Sequence, residues 1–178
     1  MMKSVLADRL PSAWLIALRA ASRAAVVCVG LITLFVAGAG TGIGAEGVAD
    51  LPMEDLSIVS VEATHEFKVE VASTDRQRAQ GLMLRETMAG DHGMLFVFDA
   101  EGDRYFWMKD TPLSLDIIFA DADGVIVRIA ERTTPFSQKI IPSREAAMFV
   151  LELNAGQSEK LGISAGDRLV SPSISAVR

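Results

Sequence analysis

The chain has 178 residues, 50% of them hydrophobic, a net charge of −6 and one cysteine, Cys28. That length suits one domain of ordinary size, and a lone cysteine excludes a disulfide framework or a cysteine metal cluster. The acidic balance contains no basic run, so nucleic acid is not an expected partner.

Lys3, Arg9, Arg19 and Arg23 precede an uncharged run from Ala24 to Ala45, whose apolar heart reads AAVVCVGLITLFVAG. A basic start, an apolar middle and a small-residue end before Glu46 form the layout of a secretory signal peptide. The same 22 uncharged residues are long enough to span a bilayer. Residues 1–45 are therefore read as a signal peptide or, alternatively, an N-terminal membrane anchor, with the glycine-rich end GAGTGIGA favouring cleavage. A cut after Ala45 leaves 13 Lys and Arg against 22 Asp and Glu, a net charge of −9, and no cysteine. The expected location is periplasmic or secreted, with membrane contact only through an uncleaved N-terminal segment.

Residues 46–55, EGVADLPMED, lack periodicity and read as a flexible spacer, with 56–178 as a single β-rich domain. FKVEVAST alternates Phe67, Val69 and Val71 against Lys68 and Glu70, the period of a half-buried strand. In STDRQRAQGLMLRE, Ser73 or Thr74 caps a short helix with Asp75 in its first turn. GMLFVF and LDIIF are continuous apolar runs and predict inner strands. DAEGD, from Asp99 to Asp103, and DADG, from Asp121 to Gly124, read as hairpin turns. GVIVRIAE sets Val125, Val127 and Ile129 against Ile126 and Arg128. MFVLELN sets a core face of Phe149, Leu151 and Leu153 against Val150 and Glu152, and NAGQSEKLG is a short helix stopped by Gly162. Together these predict a mainly β fold, a β-sandwich or partly open barrel, mostly antiparallel, with one or two short helices.

RAQGLMLRE, GMLFVF and FWMKDTPLSLDIIF, followed by VLELNAG and GISAGDRL, resemble the domain of unknown function 192 family from about Phe67 to Val170. The shared pattern is Arg78 ahead of Gly81-Leu82-Met83, then Trp107-Met108-Lys109, Thr111, Leu115-Asp116 and Glu152. This chain departs at Asp110, where the family usually has Asn, and at Ser114, where Pro is common. The resemblance implies a compact, mostly antiparallel β-fold with small helices, often exported. It implies no activity, and no catalytic residue follows from it.

The candidate binding or structural residues are Arg78, Arg85, Trp107, Lys109, Asp110, Thr111, Asp116 and Glu152. Trp107 and Phe106 suit either a platform for a saccharide or a wall of the core, and an apolar neighbourhood favours the wall. Asp116 lies in an apolar strand, where a carboxylate is costly unless paired. Arg78, Arg85 or the amides around Thr111 would make it a structural anchor. Pairing with Asp110 or Glu152 would instead make an acid/base couple for glycoside hydrolysis. His65 and His92 lack metal-ligand spacing, and DAEGDR lacks the glycine and final glutamate of a calcium loop, so no metal or other cofactor is expected. Met83, Met88, Met94, Met108 and Met148 would suit copper only if three of their sulfurs met at one exposed point, and core filling is favoured. The leading expectation is a non-catalytic binding or interaction module at the cell envelope, its partner a saccharide or an envelope protein. A carboxylate-dependent hydrolase acting on saccharides and a Met-rich copper-handling module are the alternatives.

Overall fold

The computed structural model describes residues 51–177, so the segment read as a leader lies outside the described residues. Nine strands and three short helices follow one another: β1 (Met53–Val59), β2 (Thr64–Ala72), α1 (Asp75–Gln80), β3 (His92–Gly102), β4 (Tyr105–Phe106), β5 (Leu115–Ala120), β6 (Ile126–Ala130), β7 (Ile141–Pro142), β8 (Ala147–Asn154), α2 (Gln157–Leu161), β9 (Arg168–Val170) and α3 (Pro172–Ser175). Seven strands form one sheet in the order β6-β5-β8-β3-β2-β1-β9, and β4 pairs with β7 in a separate ribbon. Every pairing is antiparallel except β2 with β3, whose connection carries α1 across the sheet. No helix among the described residues is long and apolar enough to cross a membrane.

The sheet curls into a half-barrel, and its two edges touch through a bridge between Val125 and Arg168. Gly124 makes this approach possible. Its φ is +77°, and a Cβ there would stand 2.6 Å from the Leu169 carbonyl oxygen. The partly open barrel is thus the member of the expected pair that the topology realises.

Two apolar layers hold the sheet. One contains Leu56, Ile58, Val69, Leu95, Ile118, Phe149, Leu151, Leu153 and Leu169. The other, on the opposite face of β3, β5 and β8, contains Met94, Phe96, Phe119, Val150 and Leu115 with Leu82 and Met108. This second face is covered by the segment after α1 and by the β4–β7 ribbon, whose Phe106 and Ile141 pack against it. Burying a side chain such as Phe96 or Phe119 contributes roughly 1.5–3 kcal/mol. The face that MFVLELN turns away from Phe149 is therefore buried as well, and Glu152 is buried with it.

Several local expectations change. β1 starts at Met53, inside the stretch read as spacer, because Glu54 and Asp55 pair with Val69 and Lys68. DAEGD is not a hairpin turn: β3 runs on to Gly102, with a register shift after Val97 that absorbs the extra residues. In β6 a second irregularity, between the Phe119–Arg128 and Ala120–Ile126 pairs, breaks the alternation. Ile126 and Ile129 join the first layer while Val127 packs on the second. The stretch before KDTP is only the two-residue strand β4, and β5 follows after a loop. A third helix, α3, is capped by Ser171 and carries Pro172 at its start.

Candidate functional site

The residues between α1 and β3 are held by arginine. Thr74 caps α1 in a full capping box with Gln77. Arg78 reaches from the helix to donate to the Ser73 and Val97 carbonyls, the latter at 2.7 Å, and pairs with Asp75. The irregularity in β3 begins at Val97. Gly81 then ends the helix at φ +47°, where an added Cβ would press 3.2 Å from the Phe96 ring. This is why the chain passes close enough to the sheet for Leu82 and Met83 to form a wall.

The loop from Trp107 to Thr111 forms the other wall. Asp110 has φ +53°, a conformation that Asn and Asp tolerate best, and its carbonyl accepts from the Leu84 amide at 2.7 Å. Leu84 itself sits at φ +63°, and Phe136, whose amide donates to the Thr111 carbonyl, at φ +59°. Three left-handed non-glycine residues thus converge on one loop. Such strain is retained where surrounding structure fixes it.

Across the sheet, Glu70, Met94, Glu152 and Ile117 stand in one row on one face. Arg85 binds both carboxylate oxygens of Glu70. Glu152 has no such partner among the described residues. Its side chain is 5% exposed and lines a pocket of about 40 Å³ with Arg78, Gly81, Leu82, Met83, Phe96, Phe106, Trp107 and Thr111. Burial alone raises its pKa to about 8, so at neutral pH the empty pocket holds a carboxylic acid. Phe96 and Phe106 meet edge-to-face with centroids 5.1 Å apart, and Phe106 meets Phe119 in the same way. Trp107, at the mouth, is 45% exposed, and Lys109 Nζ lies 5.7 Å from its ring centroid.

Phe106 is partly buried and packs against the second core layer, whereas Trp107 is exposed. Lys109 is half-exposed and pairs with Asp110 at 3.2 Å on the surface. Thr111 is buried, and its hydroxyl donates to the Lys109 carbonyl.

Asp116 is fully buried on the opposite face, beside Leu153. Its donors are neither Arg78 nor Arg85 nor the Thr111 segment. The Arg132 amide donates to Oδ1 at 2.8 Å and the Ser158 amide to Oδ2 at 2.9 Å. Ser158 lies in the first turn of α2, whose N-cap, Gly156, offers no side chain, so Asp116 caps that turn from another strand. It also holds the turn where Arg132 adopts φ +49°.

Asp110, Asp116 and Glu152 therefore do not converge. Directly paired residues share a face, and Glu152 pairs with Ile117 while Asp116 pairs with Leu153. The sheet separates the two buried carboxyls, and Asp110 is at the surface. Of the five methionines, Met94 and Met108 are buried in one layer and Met148 in the other, leaving only Met83 and Met88 partly exposed. Of the site walls, Gly81, Leu82 and Met83 belong to the pattern shared with the family, whereas Phe96 is marked only as part of the apolar run GMLFVF. The signal of Phe96 is packing alone, an aromatic in a strand apolar on both faces.

The model of the family described as DUF192, Uncharacterized ACR, matches residues 57–171. A crystal structure from Sinorhizobium meliloti 1021, described as a candidate transcription regulator, is 44% identical with a TM-score of 0.70, covering 71% of this chain and 99% of its own. A protein of unknown function from Novosphingobium aromaticivorans is 32% identical with a TM-score of 0.67, covering 69% of this chain and 88% of its own. No curated protein matches the chain.

Proposed function

The chain belongs to the domain of unknown function 192 family, and from that premise we propose that it is a non-catalytic binding module whose site is the Glu152 pocket. The observation that carries the reading is Glu152 itself. A glutamate residue only 5% exposed, with no hydrogen-bond partner among the described residues, is costly to keep and lines an open pocket rather than a sealed core. A few polar groups inside an apolar, aromatic wall are the general form of a small-ligand site. The volume has room for about three water molecules, which suits the end of a longer molecule whose remainder leaves past Trp107.

Hydrolysis has less support. Two-carboxylate chemistry needs a pair flanking one bond, and Glu152 is the only acid in the lining. The regulator label of the Sinorhizobium relative would bring DNA into view, yet a net charge of −9 for residues 46–178 opposes phosphate contact. Binding is tested by nuclear magnetic resonance of the indole of Trp107 during a screen of small amines, alcohols, amides and sugars. Ligands that shift this resonance in the wild type and lose affinity in Trp107→Ala support the reading; a screen that leaves it unmoved overturns it.

The place of action we propose is outside the cytoplasm. The support is the charge and hydropathy pattern of residues 1–45. N-terminal sequencing of protein recovered from host fractions should give a start near Glu46 outside the cytoplasm. Full-length protein confined to the cytosol would refute this, and full-length protein in membranes would favour the anchor.

A further inference from the structure

Resting on the reading of this pocket as a ligand site, we propose that its occupant is a primary ammonium group, paired with Glu152 and enclosed by the aromatic side chains around it. What Glu152 lacks, among the described residues, is a bonded donor: Arg78, Gln80 and Thr111 line the same pocket, but Arg78 and Thr111 donate elsewhere and none of the three donates to Glu152. Glu70, in the same row, has Arg85, and Asp116 has two amides, while Glu152 has neither a cation nor an amide. A cation entering the pocket would restore to this one carboxyl what the other two possess.

The walls suit the same group. Phe96, Phe106 and Trp107 line the pocket, and aromatic faces attract ammonium more strongly once water is excluded. The chain's own Lys109 ammonium already lies over the Trp107 ring. The volume of about 40 Å³ suits an ammonium with its first methylene better than a bulkier quaternary ammonium. A negative domain also concentrates cations near its surface.

Charges facing the site come from few elements. α1 contributes Arg78, whose guanidinium is bound to Asp75 and two carbonyls. β2 contributes Glu70, neutralised by Arg85 one strand beyond Met94. β5 contributes only Ile117 to the row. The 107–111 loop contributes the Lys109–Asp110 pair outside the lining.

Binding is then a proton exchange. The Glu152 O–H bond breaks, its proton goes to solvent, and the carboxylate accepts a hydrogen bond from the incoming ammonium. The empty site is mostly protonated at pH 7, since burial lifts Glu152 to about 8. Amine affinity should rise roughly tenfold per pH unit below 8 and level off above it.

The test is a carbon-13 titration of the Glu152 carboxyl in the full chain, assigned with Glu152→Gln, alone and with n-butylammonium, n-butanol or tetramethylammonium. Near-saturating n-butylammonium is expected to lower the Glu152 midpoint by at least about one pH unit. The other two compounds should leave it in place. Trp107→Ala, altering a half-exposed residue, should weaken the butylammonium effect severalfold and serves where Glu152→Gln does not fold. If n-butanol shifts the Trp107 indole as strongly as n-butylammonium, or if the Glu152 midpoint does not move, the ammonium assignment is overturned while a ligand site remains. If no compound of any class perturbs Trp107, the site reading itself falls.

Discussion

Asp116 and Glu152 are buried carboxyls on neighbouring strands of one sheet, and they teach opposite lessons. Asp116 is enclosed by the fold that uses it: both oxygens accept backbone amides, and the accepted bonds fix a strained turn and the start of α2. Glu152 accepts no hydrogen bond from the described residues and has a pocket in front of it. Both residues are buried, Asp116 at 0% and Glu152 at 5% exposure. What separates structure from function here is whether the buried group's hydrogen bonds are already made.

The largest consequence concerns pH. In the unfolded chain Glu152 ionises near its ordinary 4.5, and in the native state near 8. Between those values the native state binds a proton that the unfolded state has released, so stability falls as pH rises. The contribution is fully present below 4.5 and is lost as pH climbs through 8, a change on the order of 4–5 kcal/mol at most. Glu152→Gln has no such proton to hold. Denaturation midpoints of wild type and Glu152→Gln, measured from pH 5 to pH 9, should diverge steadily in favour of the variant. Parallel curves would mean that Glu152 is solvated and that its contrast with Asp116 is false.

Asp116→Ala comes next. Removing the carboxylate strands the Arg132 and Ser158 amides, each worth about 1–3 kcal/mol when left unsatisfied, and a loss of about 2–4 kcal/mol is expected in chemical denaturation. Asp116→Asn keeps one good acceptor and should lose about half as much. A negligible loss in Asp116→Ala accompanied by loss of ligand binding would move Asp116 from the scaffold to the site.

The same pair shows where reading the sequence succeeds. Asp116 stands out because an acid between Leu115 and Ile117 in LDIIF has to be compensated, and that much follows from polarity alone. Its donors do not follow, since the amides of Arg132 and Ser158 are 16 and 42 residues away and backbone amides look alike in any sequence. Strands such as LDIIF and MFVLELN are visible because apolar runs and alternation are local. The exposure of Trp107 is not, because it depends on β4 stopping after Phe106. Glu152 was the deepest concealment: alternation placed it opposite Phe149, but only the β4–β7 ribbon and the segment after α1 make that opposite face an interior.

Glu70 offers an intermediate case. Arg85 neutralises it at a site still partly open, with side chains 31% and 19% exposed. Arg85→Ala should cost about 1 kcal/mol, since solvent screens what remains. The loss should shrink at high salt. A loss as large as that of Asp116→Ala would show that the pair is the clamp holding the segment after α1 on the sheet.

The smallest effect belongs to Lys109. Its ammonium touches Asp110 at 3.2 Å and lies 5.7 Å from the Trp107 centroid, but both charged side chains are about half exposed. Exposed pairs contribute roughly 0–1 kcal/mol, and a solvated cation over a ring adds about 0.5 kcal/mol. The loop does not depend on the side chain, because the Asp110 carbonyl holds Leu84 and the Thr111 carbonyl holds Phe136 through backbone bonds that alanine preserves. Lys109→Ala should therefore cost about 0.5 kcal/mol in chemical denaturation, and no more than about 1.5 kcal/mol. Its influence should fall on the pocket instead: removing a like charge near the Trp107 ring lowers the repulsion felt by an incoming ammonium, so n-butylammonium should bind slightly tighter. Weaker amine binding in Lys109→Ala would place the lysine among the groups that shape the pocket mouth, and a stability loss near that of Asp116→Ala would place it in the scaffold.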